Sequence, residues 1–267
     1  MTLDDIRQII QQAAEAESVR QIYFEGGEPF LYYGTLLKGV EMAHNAGFEV
    51  GIVTNCYWAT SLEDAINWLR PLAPQIKDLS VSSDLYHYDQ KISQKAQFAN
   101  DAAQKLGIPV GTISVAQPEN RAASIQGQLP TGESAVMFRG RAAIKLVQGA
   151  TLHAWNSFKE CPYEDLRDPG RVHLDPLGNL HICQGISIGN IFQTPIKDIC
   201  ARYDPQTHPI VSALLAGGPA ELVQRFQLPH DESYADACHL CYSARSNLRS
   251  RFPDELLPDQ MYGMYNQ

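Results

Sequence analysis

The run Arg20-Gln21-Ile22-Tyr23-Phe24-Glu25-Gly26-Gly27-Glu28-Pro29 is a short strand leading straight into a turn. Ile22 and Phe24 alternate with polar neighbours, as a half-buried strand requires. Gly26 and Gly27 let the backbone come close to a ligand, and free N–H and C=O groups there suit a small charged molecule. Pro29 stiffens the exit and Glu28 offers a carboxylate. By itself the turn reads first as a tight strand-to-helix connection, and the ligand site is the weaker reading. Helix signals lie on both sides. Upstream, Thr2 and Asp5 form a capping box, followed by Leu3, Ile6, Ile10 and Ala14 at helical spacing. Downstream, Leu36, Leu37, Val40 and Ala43 mark a second helix that stops at Gly47.

The alternation continues. The stretch 48–54 is rich in β-branched residues. Thr60 and Glu63 form a capping box for a helix through Ile66 and Leu69 that ends at Pro71. Leu79, Val81 and Ser82 read as a strand, and Ile92, Ala96, Ala99, Ala103 and Leu106 as a helix closed by Gly107. Residues 108–115 and 135–138 are two more strands, with a polar loop between them over 118–134. Strands alternating with helices at intervals of about thirty residues predict βαβ units and a parallel sheet, open or closed. Ligands of such sheets bind in the loops at the C-terminal ends of the strands. The alternation ends near residue 150. Short turn-rich pieces follow, including Asp168-Pro169-Gly170 and Asp175-Pro176-Leu177-Gly178-Asn179. The expected division is therefore 1–150 and 151–267.

The chain has 267 residues and a net charge of −9. That charge argues against a nucleic-acid partner, since phosphate binding needs a basic face. No apolar run is long enough to span a bilayer and no secretory leader is recognisable, so the expectation is a cytoplasmic protein with no membrane partner. Five of the six cysteines lie in the second half. Cys161 and Cys183 form a C-x21-C pair, and Cys238 and Cys241 a C-x-x-C pair. Thiolates from separated segments suit a tetrahedral zinc site or an iron–sulfur cluster, and spacing does not separate the two. Cys56 and Cys200 read as ordinary, partly buried thiols, Cys200 at the end of a short helix. His173, His181 and His239 flank the cysteines as supporting or incidental residues.

Taken in order, these motifs resemble the radical S-adenosylmethionine superfamily. Gly26-Gly27-Glu28-Pro29 after a strand resembles its GGEP motif, which binds the methionyl amino group. Thr54-Asn55 resembles its TN pattern, and Ser82-Ser83-Asp84 its SxD near the ribose and methionyl carboxylate. Gly111-Thr112-Ile113 matches the strand whose backbone touches the adenine. Arg139-Gly140-Arg141-Ala142 resembles the GRA that closes the barrel. The C-terminal half resembles a Twitch/SPASM auxiliary domain through Cys161, Gly178…Cys183 and Cys238-x2-Cys241, in the single-cluster version.

The resemblance implies a fold of α/β type: a partial (β/α)6 TIM-like barrel lacking its first strand, followed by a small cysteine-rich Twitch/SPASM-like domain. It implies S-adenosylmethionine at Gly26, Gly27, Glu28, Pro29, Asn55, Ser82, Asp84, Ile113 and Arg141. It implies an auxiliary [4Fe-4S] cluster on Cys161, Cys183, Cys238 and Cys241. The activity it implies is generation of a 5′-deoxyadenosyl radical to oxidise or modify a peptide or small-molecule substrate, with a reductant such as flavodoxin or ferredoxin. The family's C-x3-C-x2-C, which holds the cofactor-cleaving cluster, has no counterpart here, because Cys56 is the first cysteine. The expectation is a longer protein whose first strand and cysteine loop precede Met1, and inactivity of the chain without them. A degenerate homologue and a separate polypeptide supplying the segment are the other readings. The alternative from another class is a non-catalytic protein that binds zinc or an iron–sulfur cluster through its four cysteines and recruits a partner.

Overall fold

The computed structural model describes residues 1–82, 90–115, 133–134 and 137–264. The chain falls into two compact units, Met1–Ala135 and Val136–Gln267. The division lies ahead of the expected 150. Phe138 is fully buried, and its N–H donates to the Asp236 carboxylate at 3.3 Å, which ties residues 137–150 to the second unit.

The first unit begins with α1 (Leu3–Glu15), whose capping box is complete in both directions between Thr2 and Asp5. Then follow β1 (Gln21–Phe24), α2 (Tyr33–Asn45), β2 (Glu49–Thr54), α3 (Leu62–Leu69), β3 (Asp78–Ser82), α4 (Gln90–Lys105), β4 (Val110–Val115) and β5 (Glu133–Ser134). The α3 cap sits one residue beyond the expected one: Ser61 accepts the Asp64 N–H, while Thr60 bonds the Asp64 side chain. Among the described residues the last strand of this unit is 133–134; of the strand expected over 135–138, residues 137–138 are not strand and 135–136 lie outside the described residues. Of the expected loop, residues 118–132 lie outside the described residues.

The strands are all parallel and lie in chain order, β1-β2-β3-β4-β5. Each crossover therefore moves the same way, and the right-handed rule sets the intervening helices on one face. Val50, Ile52, Leu79 and Val81 are buried on that face in the core, with Ile22 and Phe24 packed against it. Strand alternation assigns Tyr23, Gly51, Val53, Ser80 and Ser82 to the opposite face, where burial is incomplete except at Gly51. Asp78 shares that face: Ser80 donates to its carboxylate at 2.9 Å.

The second unit holds α5 (Arg141–Lys145), β6 (His153–Ala154), β7 (His173–Leu174), β8 (Asn179–Cys183), β9 (Ile186–Asn190), α6 (Ile196–Arg202), α7 (Pro209–Phe226), β10 (Ser233–Tyr234) and α8 (Ala237–Leu248). β7, β8 and β9 form an antiparallel meander. Asp175 holds its first turn, accepting from the Leu177 and Asn179 N–H groups, the Asn179 side chain and His181 Nε2 at 2.8–3.1 Å. Turn-rich pieces do not account for the whole region. α7 and α8 supply most of its core, with Ile210, Val211, Leu214, Leu222, Leu240 and Leu248 all buried. Each such side chain contributes about 1.5–3 kcal/mol. α7 is broken at Gly217-Gly218, ahead of Pro219, and these breaker residues hide its helical period in the sequence.

Candidate metal centre and strand-end site

The segments bearing the four expected cysteine ligands converge within the second unit. Cys161 follows the turn Trp155–Ser157, Cys183 ends β8, and Cys238 and Cys241 lie in the first turns of α8. All four line one recess, together with Arg139, Leu166, Ile186, Leu214, Pro219 and Arg245 among others. Cys183 is buried and the other three are half-buried. Among the described residues, no group of three or more His, Cys, Asp and Glu side chains is placed to hold a metal ion. The thiols border a space instead of meeting at a point. A tetrahedral zinc site needs every sulfur about 2.3 Å from one centre.

The electrostatics of the recess are unusual. Arg245 is 2% exposed. Among the described residues its hydrogen-bond partners are uncharged: the Gln184 carbonyl at 2.9 Å, the Tyr262 hydroxyl at 3.4 Å and the Cys241 carbonyl at 3.4 Å. Arg139 donates to Cys183 Sγ at 3.6 Å. Neither arginine forms an ion pair with a carboxylate among the described residues. A buried cation needs a counter-charge, and the ionisable groups that act on Arg245 are the Tyr262 hydroxyl and the cysteines Cys241, Cys183 and Cys238. Burial opposes the Arg245 charge, but Tyr262, Cys241, Cys183 and Cys238 more than restore it.

The thiols meet the opposite pressure. Burial raises Cys161, helped by Cys183 and Glu164 and opposed by the Tyr163 and Glu164 N–H groups. Burial pushes Cys241 up to about 11 against the pull of Arg245. Cys238 is raised by burial, then by Asp236 and the other thiols, with Arg139 opposing. The thiolate form is thus unfavourable at Cys161, Cys238 and Cys241 alone, and a metal cation beside them reverses that balance.

Sequence reasoning did not single out Arg245. The signal was present, since Cys238, Cys241 and Arg245 recur at i, i+3 and i+7 on one helix face. Cys56 is buried, and burial followed by the Glu28 charge raises its thiol to about 12. Cys200, expected to be partly buried, is exposed in α6. His181 bonds Asp175, and His239 Nδ1 accepts the Ala235 N–H, so both serve turns.

In the first unit, the remaining candidates gather at one edge of the sheet. Gly26, Gly27, Glu28 and Pro29 follow β1, Asn55 follows β2, Ser82 ends β3, and Ile113 pairs with Ser82 in register. Asp84 lies outside the described residues. Arg141 opens α5 in the second unit.

Glu28 is a buried clamp, not a solvated loop residue. It is 7% exposed, and it accepts from the Phe30 N–H at 3.1 Å, Thr54 Oγ1 at 2.9 Å and the Asn55 N–H at 2.7 Å. Thr54 in turn accepts from Trp58 Nε1 and the Cys56 N–H. This network locks the β1 turn to the end of β2. Gly26 has φ +98°, which requires glycine. Gly27 has no such φ, and a Cβ there would meet nothing within 4 Å. The fold therefore does not demand glycine at 27.

No protein-family model matches this chain, and no curated protein matches it. Among the described residues no helix is long and apolar enough to cross a membrane.

Proposed function

We propose that the chain is a radical S-adenosylmethionine-type protein. On this reading the first unit is an arc of a (β/α)6 barrel and the second holds an auxiliary [4Fe-4S] cluster. The observation that carries the reading is the recess where Cys161, Cys183, Cys238 and Cys241 meet two arginines that have no carboxylate partner among the described residues. The cysteines would ligate the cluster, while Arg139 and Arg245 offset its negative charge. When bound, such a cluster accepts or relays an electron during oxidation of a substrate.

Strands in chain order support the barrel arc, because successive crossovers in one direction are how a closed barrel is wound. The strand-end edge is the place for S-adenosylmethionine. Glu28 fixes the turn from below. The bare backbone at Gly26-Gly27 faces open space and lets a ligand's charged amino acid portion approach. The register brings the Ser82 and Ile113 backbones level for its remainder. The residues present do not fit the cofactor-cleaving cluster: the first cysteine is Cys56, buried, with its thiol raised to about 12. The substrate class is a peptide or small molecule.

The test is anaerobic reconstitution with ferrous iron and sulfide. The chain takes up one cluster, with visible iron–sulfur absorption, and cleaves no S-adenosylmethionine. Cys183→Ala or Cys238→Ala abolishes uptake and loosens only the second unit, because metal binding and local folding are coupled. Uptake of zinc alone on four thiolates, with no iron chromophore, overturns this reading in favour of a non-catalytic zinc protein.

A further inference from the structure

Cys161 comes to the recess from a segment with little regular structure of its own. Beyond the turn Trp155–Ser157, residues 158–161 are in no helix or strand. A metal ligand in such a segment needs an external support to hold its position to within a fraction of an ångström. The break in α7 supplies one. Gly218 has φ +67° and ψ −161°, a conformation that is essentially glycine-only. A Cβ there would lie 2.3 Å from Glu160 N, 2.3 Å from Lys159 C and 2.7 Å from Phe158 O. Backbone thus rests directly on backbone. The break also frees the Ala220 N–H, which donates to the Phe158 carbonyl at 3.0 Å. Cys161 follows Glu160 directly, and Pro219 and Leu214, on either side of Gly218, line the cysteine recess. Gly217 differs: its φ of −172° is extended backbone that any residue adopts.

We propose that Gly218 is a positioning residue of the metal centre: the Gly217-Gly218-Pro219 break in α7 is a seat for residues 158–160 that aims Cys161 at Cys183, Cys238 and Cys241. This rests on reading those four cysteines as metal ligands. A side chain at 218 has no flexible neighbour to displace, because all three contacts are backbone atoms. The 158–161 segment must lift, and Cys161 moves with it. The other three ligands stand on β8 and α8 and keep their places.

The test is site-resolved alkylation of the full chain by iodoacetamide, read by mass spectrometry after loading with ferrous iron and sulfide without air. In the wild type all four cysteines are protected. In Gly218→Ala, Cys161 reacts at least tenfold faster while Cys183, Cys238 and Cys241 stay protected. Leu248→Ala, a core truncation in α8, lowers the unfolding midpoint but leaves all four protected. Insertion of one glycine after Glu160, which leaves α7 untouched, reproduces the selective loss even if Gly218→Ala fails to fold. Equal protection of Cys161 in both variants overturns the proposal, as does uniform exposure of all four in the glycine insertion. If metal protects no cysteine in the wild type, the metal reading fails instead. The seat is then judged in metal-free protein by hydrogen exchange at the Ala220 amide. That exchange is slow in the wild type and at least tenfold faster in Gly218→Ala, and unchanged exchange overturns the seat as well.

Discussion

Replacing Glu28 tests whether the β1 turn is held by its carboxylate or merely lies beside it. In Glu28→Ala, the Phe30 N–H, the Asn55 N–H and the Thr54 hydroxyl all lose their acceptor. Each unsatisfied buried donor costs about 1–3 kcal/mol. Water entering the vacated space and shared relaxation reduce the sum, so the expected loss is about 3–5 kcal/mol. Glu28→Gln keeps the shape and isolates the chemistry. With its oxygen toward Phe30 and Thr54, the new amide NH2 faces the Asn55 N–H. Turned over, it faces the Phe30 N–H and Thr54 Oγ1, whose acceptor positions already take the Cys56 N–H and Trp58 Nε1. Either orientation leaves at least one donor against a donor, costing about 1–3 kcal/mol. The assay is urea unfolding followed by tryptophan fluorescence in a Trp155→Phe background, where Trp58 and Trp68 report the first unit alone. A loss of ~2 kcal/mol moves the midpoint by about 1 M. The reasoning fails if either variant stays within about 0.5 kcal/mol of its parent, or if the amide costs more than the alanine.

Three further outcomes follow from the packing. His208 Nδ1 caps α7 by accepting the Ile210 and Val211 N–H groups, which requires the neutral ring, and burial lowers its pKa below 6.5. The unfolded state therefore binds the proton more readily, so the cap's stabilisation of about 1 kcal/mol is full above pH 6.5 and is lost as pH falls through the lower folded value. Thermal melts on either side of that pH should show the drop, and His208→Asn should abolish its slope. Gly51→Ala puts a Cβ 2.2 Å from the Tyr23 ring and should cost about 1–3 kcal/mol, with most of it recovered in Tyr23→Ala, as a double-mutant cycle of urea midpoints will show. Arg245→Met should change metal-free stability by less than about 1 kcal/mol, or raise it, because among the described residues the buried cation has neutral hydrogen-bond partners alone. The iron-loaded protein should lose iron at least tenfold faster, measured by chelator competition.

The local signals in the chain were legible because they act over a few residues. The capping box at Thr2 and Asp5, the strands through Ile22 and Leu79, and the positive-φ glycines at 47 and 107 follow from backbone sterics and short-range hydrogen bonds. The alternation of strand and helix fixed the parallel sheet by itself. Where two neighbouring hydroxyls competed for one cap, at Thr60 and Ser61, the geometry of the chain entering α3 chose between them. The helix α7 was hidden because Gly217, Gly218 and Pro219 read as breakers; in the fold the backbone of 158–160 packs against Gly218, and the Phe158 carbonyl takes up the freed Ala220 N–H.

The sequence by itself determined which cysteines stand in pairs and which turn carries glycines and a carboxylate. Only the tertiary structure decided what those groups face. It buried Glu28 as a clamp on β2, and it gathered Cys161, Cys183, Cys238 and Cys241 around one recess. It also placed Arg139 and Arg245 beside them, neither in an ion pair with a carboxylate among the described residues. Partners far apart in the chain meet through packing of a whole core, and a charge or a thiol has chemical meaning only once the groups that surround it are in place.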